Sequence, residues 1–314
     1  MGVITGKSFY KMMVMGVLMI GTTIISTTTF AKVSILETKS LTAVSSPPAT
    51  KMANPLLANS QIIDLANQKT ITAQQFVQQL ALQDYVILGE YHDSKAQHQL
   101  AYWLLAALDK QRPQGSLLLE MLTVAQQPLV DDVAQNHAVT LAELNKSLQW
   151  QPAWDWGLYG NIVQHPINHG YDLVATNLSK SEVSALLQNT QPVQSISANA
   201  STTEEIKSTI RNSIMANHHL DSASDEDMAM INRMVEIQQH RDRRMAEKIL
   251  GAATPSLLLT GNFHAQKSVG VPVHLSDLQY EQPHKKQGVV VMMVADIDDL
   301  TTKDADYVWV INDE

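Results

Sequence analysis

The sequence predicts an α/β fold: a mostly parallel central sheet flanked by helices, with a small helical subdomain. Two observations predict it. The runs Tyr85-Val86-Ile87-Leu88, Ser116-Leu117-Leu118-Leu119, Asp172-Leu173-Val174-Ala175 and Ser256-Leu257-Leu258-Leu259 are close to continuously apolar, the pattern of strands covered on both faces. Stretches with helical spacing separate them, and strand–helix–strand segments of this length form right-handed crossovers between parallel strands.

Residues 1–31 stand apart from that fold. Lys7 and Lys11 precede an apolar run, and a Thr/Ser-rich stretch ends at Thr29-Phe30-Ala31, the order of a cleaved export signal. An uncleaved anchor is the alternative, weakened by the hydroxyl residues between Thr22 and Thr29. Residues 32–59, rich in Ser, Thr, Pro and Ala, read as a flexible tether. One domain is expected over 60–314, with helical insertions near 123–150 and 203–250.

Within it, Ile62-Ile63-Asp64 is a short strand. The strand at Tyr85 stops at Gly89, and Ser94 caps a helix carrying Leu100, Trp103, Leu104, Ala107 and Leu108. The Ser116 strand is expected to end at Glu120. Residues 123–148 form two short helices, and Trp150, Trp154 and Trp156 gather in the loop after them. A helix near 157–168 leads to the strand at Asp172. Ser179 caps the next helix, and 190–203 is a polar linker. Glu204–Asn217 and residues 225–250 are helical. The strand at Ser256 ends in Gly261, and Gly288–Val294 and Tyr307–Ile311 are late strands.

The chain of 314 residues is 45% hydrophobic, enough for one large core. Removing 1–31 takes away two lysines and no acids, leaving 20 basic against 31 acidic residues, a net charge of -11. With no basic tract to neutralise phosphates, nucleic acid is not expected as a partner. Cysteine is absent, which excludes disulfides, thiolate ligation and a cysteine-linked lipid anchor. Any metal must be held by His, carboxylate, Tyr or Met.

Chemistry concentrates at strand ends. One strand delivers Gly89-Glu90-Tyr91-His92-Asp93, a second Glu120, a third Gly261-Asn262-Phe263-His264. In an open parallel sheet the carboxyl ends share one edge, where ligands bind. Two Gly-x-x-His segments and two glutamates would converge there, the glycines letting the chain turn sharply as it leaves the sheet. On the long helix, Gln238, Arg241 and Asp242 share a stripe with Ile231, Met234, Val235, Met245 and Ile249, while His240 points away. Those inward polar groups need partners, either in a structural salt bridge or at the strand-end site. Periodicity turns His98 toward solvent, though a site above its helix start remains within reach. His218 and His219 read as a surface pair.

These segments resemble the ChaN-like cofacial haem-binding family, related to the Tiki and erythromycin esterase-like superfamily. Gly89-Glu90-Tyr91-His92-Asp93 with His98 is similar to its opening motif. Residues 117–121, Trp156 with Tyr159, Ala175-Thr176-Asn177-Leu178, and Gln238 with Arg241-Asp242 and Met245-Ala246 are similar to later blocks. Thr260-Gly261-Asn262-Phe263-His264 with Gly270-Val271-Pro272 resembles the closing signature. The resemblance implies haem binding in iron acquisition, two haems stacked in a homodimer, a tyrosine on iron and a histidine from the partner. Tyr91, Tyr159 and Tyr280 are the candidate ligands, in that order. The haem site would draw on Glu90, Tyr91, His92, His98, Glu120, Tyr159, Gln238, Arg241, Asp242, Asn262 and His264. Residence in the periplasm or cell envelope and supply from an outer-membrane haem receptor follow. The alternative is a metal-dependent hydrolase, with His92 and His264 as ligands of a divalent ion or as acid/base groups, and Glu90 or Glu120 activating water.

Overall fold

The structure, a computed structural model, describes residues 55–311 apart from 136–139, 198–200, 219, 221–222 and 298. The export signal, the tether up to residue 54 and His219 of the histidine pair lie outside the described residues. The last part of the expected tether folds: Pro55–Ala58 is a one-turn helix, α1, whose Leu56 and Leu57 rest on the core.

The strands are β1 (Ser60–Asp64), β2 (Lys69–Ile71), β3 (Tyr85–Glu90), β4 (Ser116–Thr123), β5 (Asp172–Asn177), β6 (Ser256–Gly261), β7 (Gly288–Val294) and β8 (Tyr307–Ile311). They form one sheet in the order β2-β1-β8-β7-β3-β6-β4-β5. Strands β3 to β8 are parallel, and β1 and β2 add an antiparallel edge. The helices are α2 (Ala73–Leu80), α3 (Lys95–Gln111), α4 (Gln127–Gln135), α5 (Leu141–Ser147), α6 (Trp156–His169), α7 (Lys180–Gln188), α8 (Glu204–Asn217), α9 (Asp225–Gly251), α10 (Asn262–Ala265) and α11 (Val271–Leu278).

The apolar strands are sandwiched, as their composition requires. Leu88, Leu117, Leu119, Leu257 and Leu259 face one layer with Leu100 and Leu104 of α3 and Ile162 and Val163 of α6. Their neighbours Ile87, Leu118 and Leu258 face the other, with Met245, Ala246 and Ile249 of α9 and Val271 and Leu275 of α11. The period-two alternation of a strand assigns each side chain to a layer. A third cluster joins Ile206, Ile210 and Ile214 of α8 to Ile231, Met234 and Val235 of α9. Helix α9 is thus shared: its first half belongs to the helical lobe and its second half covers the sheet.

Ser94 and Ser179 cap α3 and α7 as expected, each accepting from the amide three residues on. Besides α1, α10 and α11, two elements lie outside the expectation, β2 and α2. The former has three residues, too few for a period. The latter is marked by a capping box between Thr72 and Gln75.

Connectivity places a crevice at the middle of the sheet. From β3 the chain passes through α3 on one face, and from β6 through α10 and α11 on the other. Strands β3 and β6 are neighbours whose following helices lie on opposite faces, and such a switch point is where ligands bind in sheets of this kind.

Candidate functional site

The rim is built by register. Glu90 of β3 lies opposite Gly261 of β6, so both Gly-x-x-His segments leave the sheet side by side. Strand β4 pairs with β6 only as far as Leu119 and Leu259, and its register against β5 shifts between Leu119 and Thr123. Glu120 sits at that irregularity, where Oε2 accepts from the Thr260 hydroxyl at 2.6 Å and the Gly261 amide at 2.9 Å. Here β4 does not end at Glu120, as the sequence suggested. It runs on to Thr123 because β5 still offers a partner.

The glycines serve close approach, not a sharp turn. Gly261 has an ordinary extended backbone, φ -62 and ψ 148, and a Cβ there would stand 2.9 Å from His92 Nε2 and 3.8 Å from Glu120 Oε2. Gly89 lies within β3, and a Cβ on it would meet Asn262 Oδ1 at 2.4 Å and Ala265 Cβ at 2.8 Å.

Two histidine–carboxylate arms converge over Gly261. In the first, buried Glu90 is the hub. Its Oε1 accepts from the Tyr159 hydroxyl at 2.7 Å and lies 2.7 Å from His92 Nδ1, which is 3.2 Å from the same hydroxyl. Its Oε2 lies 3.1 Å from His98 Nε2. Trp154 closes the His92 ring edge-on at 4.7 Å. Burial opposes charge on His92, but the hydrogen bond to Glu90 and the Glu90 charge outweigh it and push the imidazole up to about 9.

The second arm joins helix to sheet. His264 Nδ1 lies 2.6 Å from Asp242 Oδ1 of α9, and Nε2 points toward Glu120 Oε1 at 3.6 Å. Burial opposes ionisation of Glu120. The charges of His264 and His92, the Thr260 hydroxyl and the Gly261 amide overcome it and hold the carboxyl at about 2. Burial likewise opposes a charged His264, and Asp242 with Glu120 reverses that and raises it. Arg241 and Gln238 are buried beside Asp242, with an Nη1 to Oε1 distance of 3.2 Å. The inward polar stripe of α9 therefore meets the strand-end site.

His98 corrects the reading from periodicity. It is buried, its Nδ1 is 2.6 Å from the Ser94 carbonyl, and its ring meets Tyr159 edge-on at 4.4 Å. The helical wheel marks only the aliphatic stripe, whereas the first turn of α3 abuts the rim, where polar groups are also buried. Asn262 holds the scaffold: its amide donates to the Met293 carbonyl of β7 at 2.7 Å. Tyr280 is not at the site. It follows α11 at the opposite end of the sheet, where Gln279 accepts from the Lys286 amide two residues before β7 begins. Thr260 and Trp154 complete the site; the sequence marks Thr260 only as part of the closing signature and Trp154 only as one of a tryptophan cluster, with no site role assigned to either.

A family described as haem-binding uptake, Tiki superfamily, ChaN matches residues 76–275. The chain belongs to this ChaN family. Among solved structures, cofacial haem binding to ChaN of Campylobacter jejuni is similar at 29% identity and a TM-score of 0.73, covering 80% of this chain and 96% of that one. A mutant erythromycin esterase in its open conformation matches at 14% identity and a TM-score of 0.43, covering 75% of this chain and 76% of the other. The RRSP toxin effector domain of Vibrio vulnificus matches at 14% identity and a TM-score of 0.40, covering 72% and 36%. No curated protein matches.

The two tyrosines at the rim differ in access to solvent. The Tyr159 phenol is buried and already bound to Glu90, and burial with the Glu90 charge raises it well above the ordinary range, so it resists becoming a phenolate. Tyr91 is 47% exposed at the rim beside His92, and its amide donates to Gln97 Oε1 at 2.7 Å, which fixes the backbone that carries it. Of the two, Tyr91 is open to solvent at the rim and Tyr159 is sealed inside.

Proposed function

We propose that this chain binds haem at the strand-end rim for iron acquisition, with the Tyr91 phenolate on the iron and a histidine of a second copy assisting across a cofacial dimer. Export by residues 1–31 and delivery from an outer-membrane receptor system belong to the same reading. The observation that carries it is an exposed tyrosine at the mouth of a ChaN-family rim whose other tyrosine is sealed inside. Bound haem supplies a ferric centre that accepts an anionic oxygen ligand. The chain's own residues do the rest. Tyr91 presents its oxygen, Glu90 holds His92 by Nδ1, and Trp154 shields that ring from water.

Hemin titrated into the purified protein is expected to give a saturable Soret band at one haem per chain and a doubled mass on gel filtration. Tyr91→Phe should weaken binding at least roughly tenfold, about 1.4 kcal/mol, while Tyr159→Phe keeps it. Unchanged affinity in Tyr91→Phe rejects the ligand assignment.

A second reading, a hydrolase, rests on His264, which Asp242 orients with Nε2 toward Glu120, an arrangement suited to acid/base work with or without a divalent ion. It expects turnover of ester or peptide substrates that Glu120→Gln lowers at least about a hundredfold. Equal rates in parent and variant dismiss it.

A further inference from the structure

The end of the molecule away from the rim carries its own cluster. Helices α3 and α6 both start at the rim and pack side by side on one face of the sheet, so their last turns meet at the opposite end. Asp109 lies in the last turn of α3. His165 and His169, four residues apart and so on one face, close α6. Their rings stack with centroids 4.0 Å apart and 27° between planes. His169 Nδ1 contacts Asp109 Oδ2, and His165 Nε2 lies 3.8 Å from that same oxygen. One ligand atom from each of the three residues lies within 4.8 Å of the others, the one such group of three among the described residues.

A hydrogen bond between Asp109 and His169 accounts for their contact and nothing more. It leaves His165, only 4% exposed, with an Nε2 that has no hydrogen-bond partner while facing a carboxylate. A buried ring nitrogen without a hydrogen-bond partner is costly, and a cation among the three residues would give it one. The neighbouring Tyr171 hydroxyl is also buried without a partner, its ring 6.1 Å from His165. Two imidazoles and one carboxylate suit zinc and its first-row neighbours, whereas calcium and magnesium prefer oxygen alone. Metal–ligand bonds of about 2.0–2.2 Å place tetrahedral ligand atoms roughly 3.3–3.6 Å apart, so His165 would close slightly on Asp109 while the His169–Asp109 contact opens to admit the ion. The His169 side chain is 44% exposed, which opens a path from solvent and room for a water as fourth ligand.

We propose that Asp109, His165 and His169 form a binding site for a divalent transition ion of the zinc class, clamping the last turn of α3 to that of α6. The site is independent of the rim and of haem.

The test uses untagged protein stripped with chelator. Calorimetric titration with Zn²⁺ should show one equivalent bound in the micromolar range or tighter, roughly. Co²⁺ should give the visible absorption of a low-coordinate site. Zn²⁺ should also raise the melting temperature. His169→Ala, at a partly exposed position that keeps the fold, and Asp109→Asn should each abolish that equivalent and the Co²⁺ spectrum. The double substitution His92→Gln with His264→Gln at the rim should retain both. No bound equivalent, one that survives His169→Ala, or one lost with the rim histidines overturns the proposal. The Soret response to hemin is expected to be the same in parent and His169→Ala, so failure of this site is distinguishable from failure of the haem reading.

Discussion

At the residue scale, the site is organised by charge taken out of water. Glu120 and His92 crowd the Cα of Gly261, and each keeps its charged form against burial chiefly through the partner in its own arm, Glu90 for His92 and His264 for Glu120, with the other arm adding to it. This makes stability depend on pH. For His92 the folded value of about 9 exceeds the unfolded 6.5, so its contribution is complete below 6.5 and lost as pH rises through 9. For Glu120 the folded value of about 2 lies below 4.5, so its contribution is present above 4.5 and lost as pH falls through 2. Urea unfolding from about pH 5 to about pH 10 should show parent stability declining more steeply than that of His92→Gln, with the gap narrowing at the alkaline end. Parallel curves would mean that His92 gains nothing from Glu90 and Glu120.

At the scale of elements, stability rests on the sandwiched strands and on the shared helix α9. Leu118 is fully buried between β4 and the second half of α9, with Ile87, Leu258 and Ile249 around it. Leu118→Ala leaves a cavity that rigid strand neighbours cannot fill, and should cost about 2–5 kcal/mol in denaturant unfolding. Leu82, equally apolar but 80% exposed, should lose under about 0.5 kcal/mol on the same substitution. Similar losses at the two positions would contradict the layer assignment. The buried strands were readable because continuous apolar runs leave few alternatives. The run of β4 beyond Glu120 was not, since it depends on β5 remaining alongside after β6 has diverged.

At the scale of the molecule, the two ends of the sheet differ in kind. The carboxyl ends hold the polar rim, and the ends of α3 and α6 hold the Asp109–His165–His169 cluster. Fold class, the strand ends that carry Glu90 and Gly261, and kinship with the ChaN family could be read from residue order alone. Hydrophobic runs and motif succession are local properties, written in consecutive residues. Partner choice is not local. Tyr159 finds Glu90 across 69 positions, Thr260 finds Glu120 across 140, and His264 finds Asp242 across 22. The burial of His98, the exposure of Tyr91 and the removal of Tyr280 to the far end follow from how helices and strands pack. A side chain's water contact is set by neighbours distant in the chain, and only the packed structure brings them together.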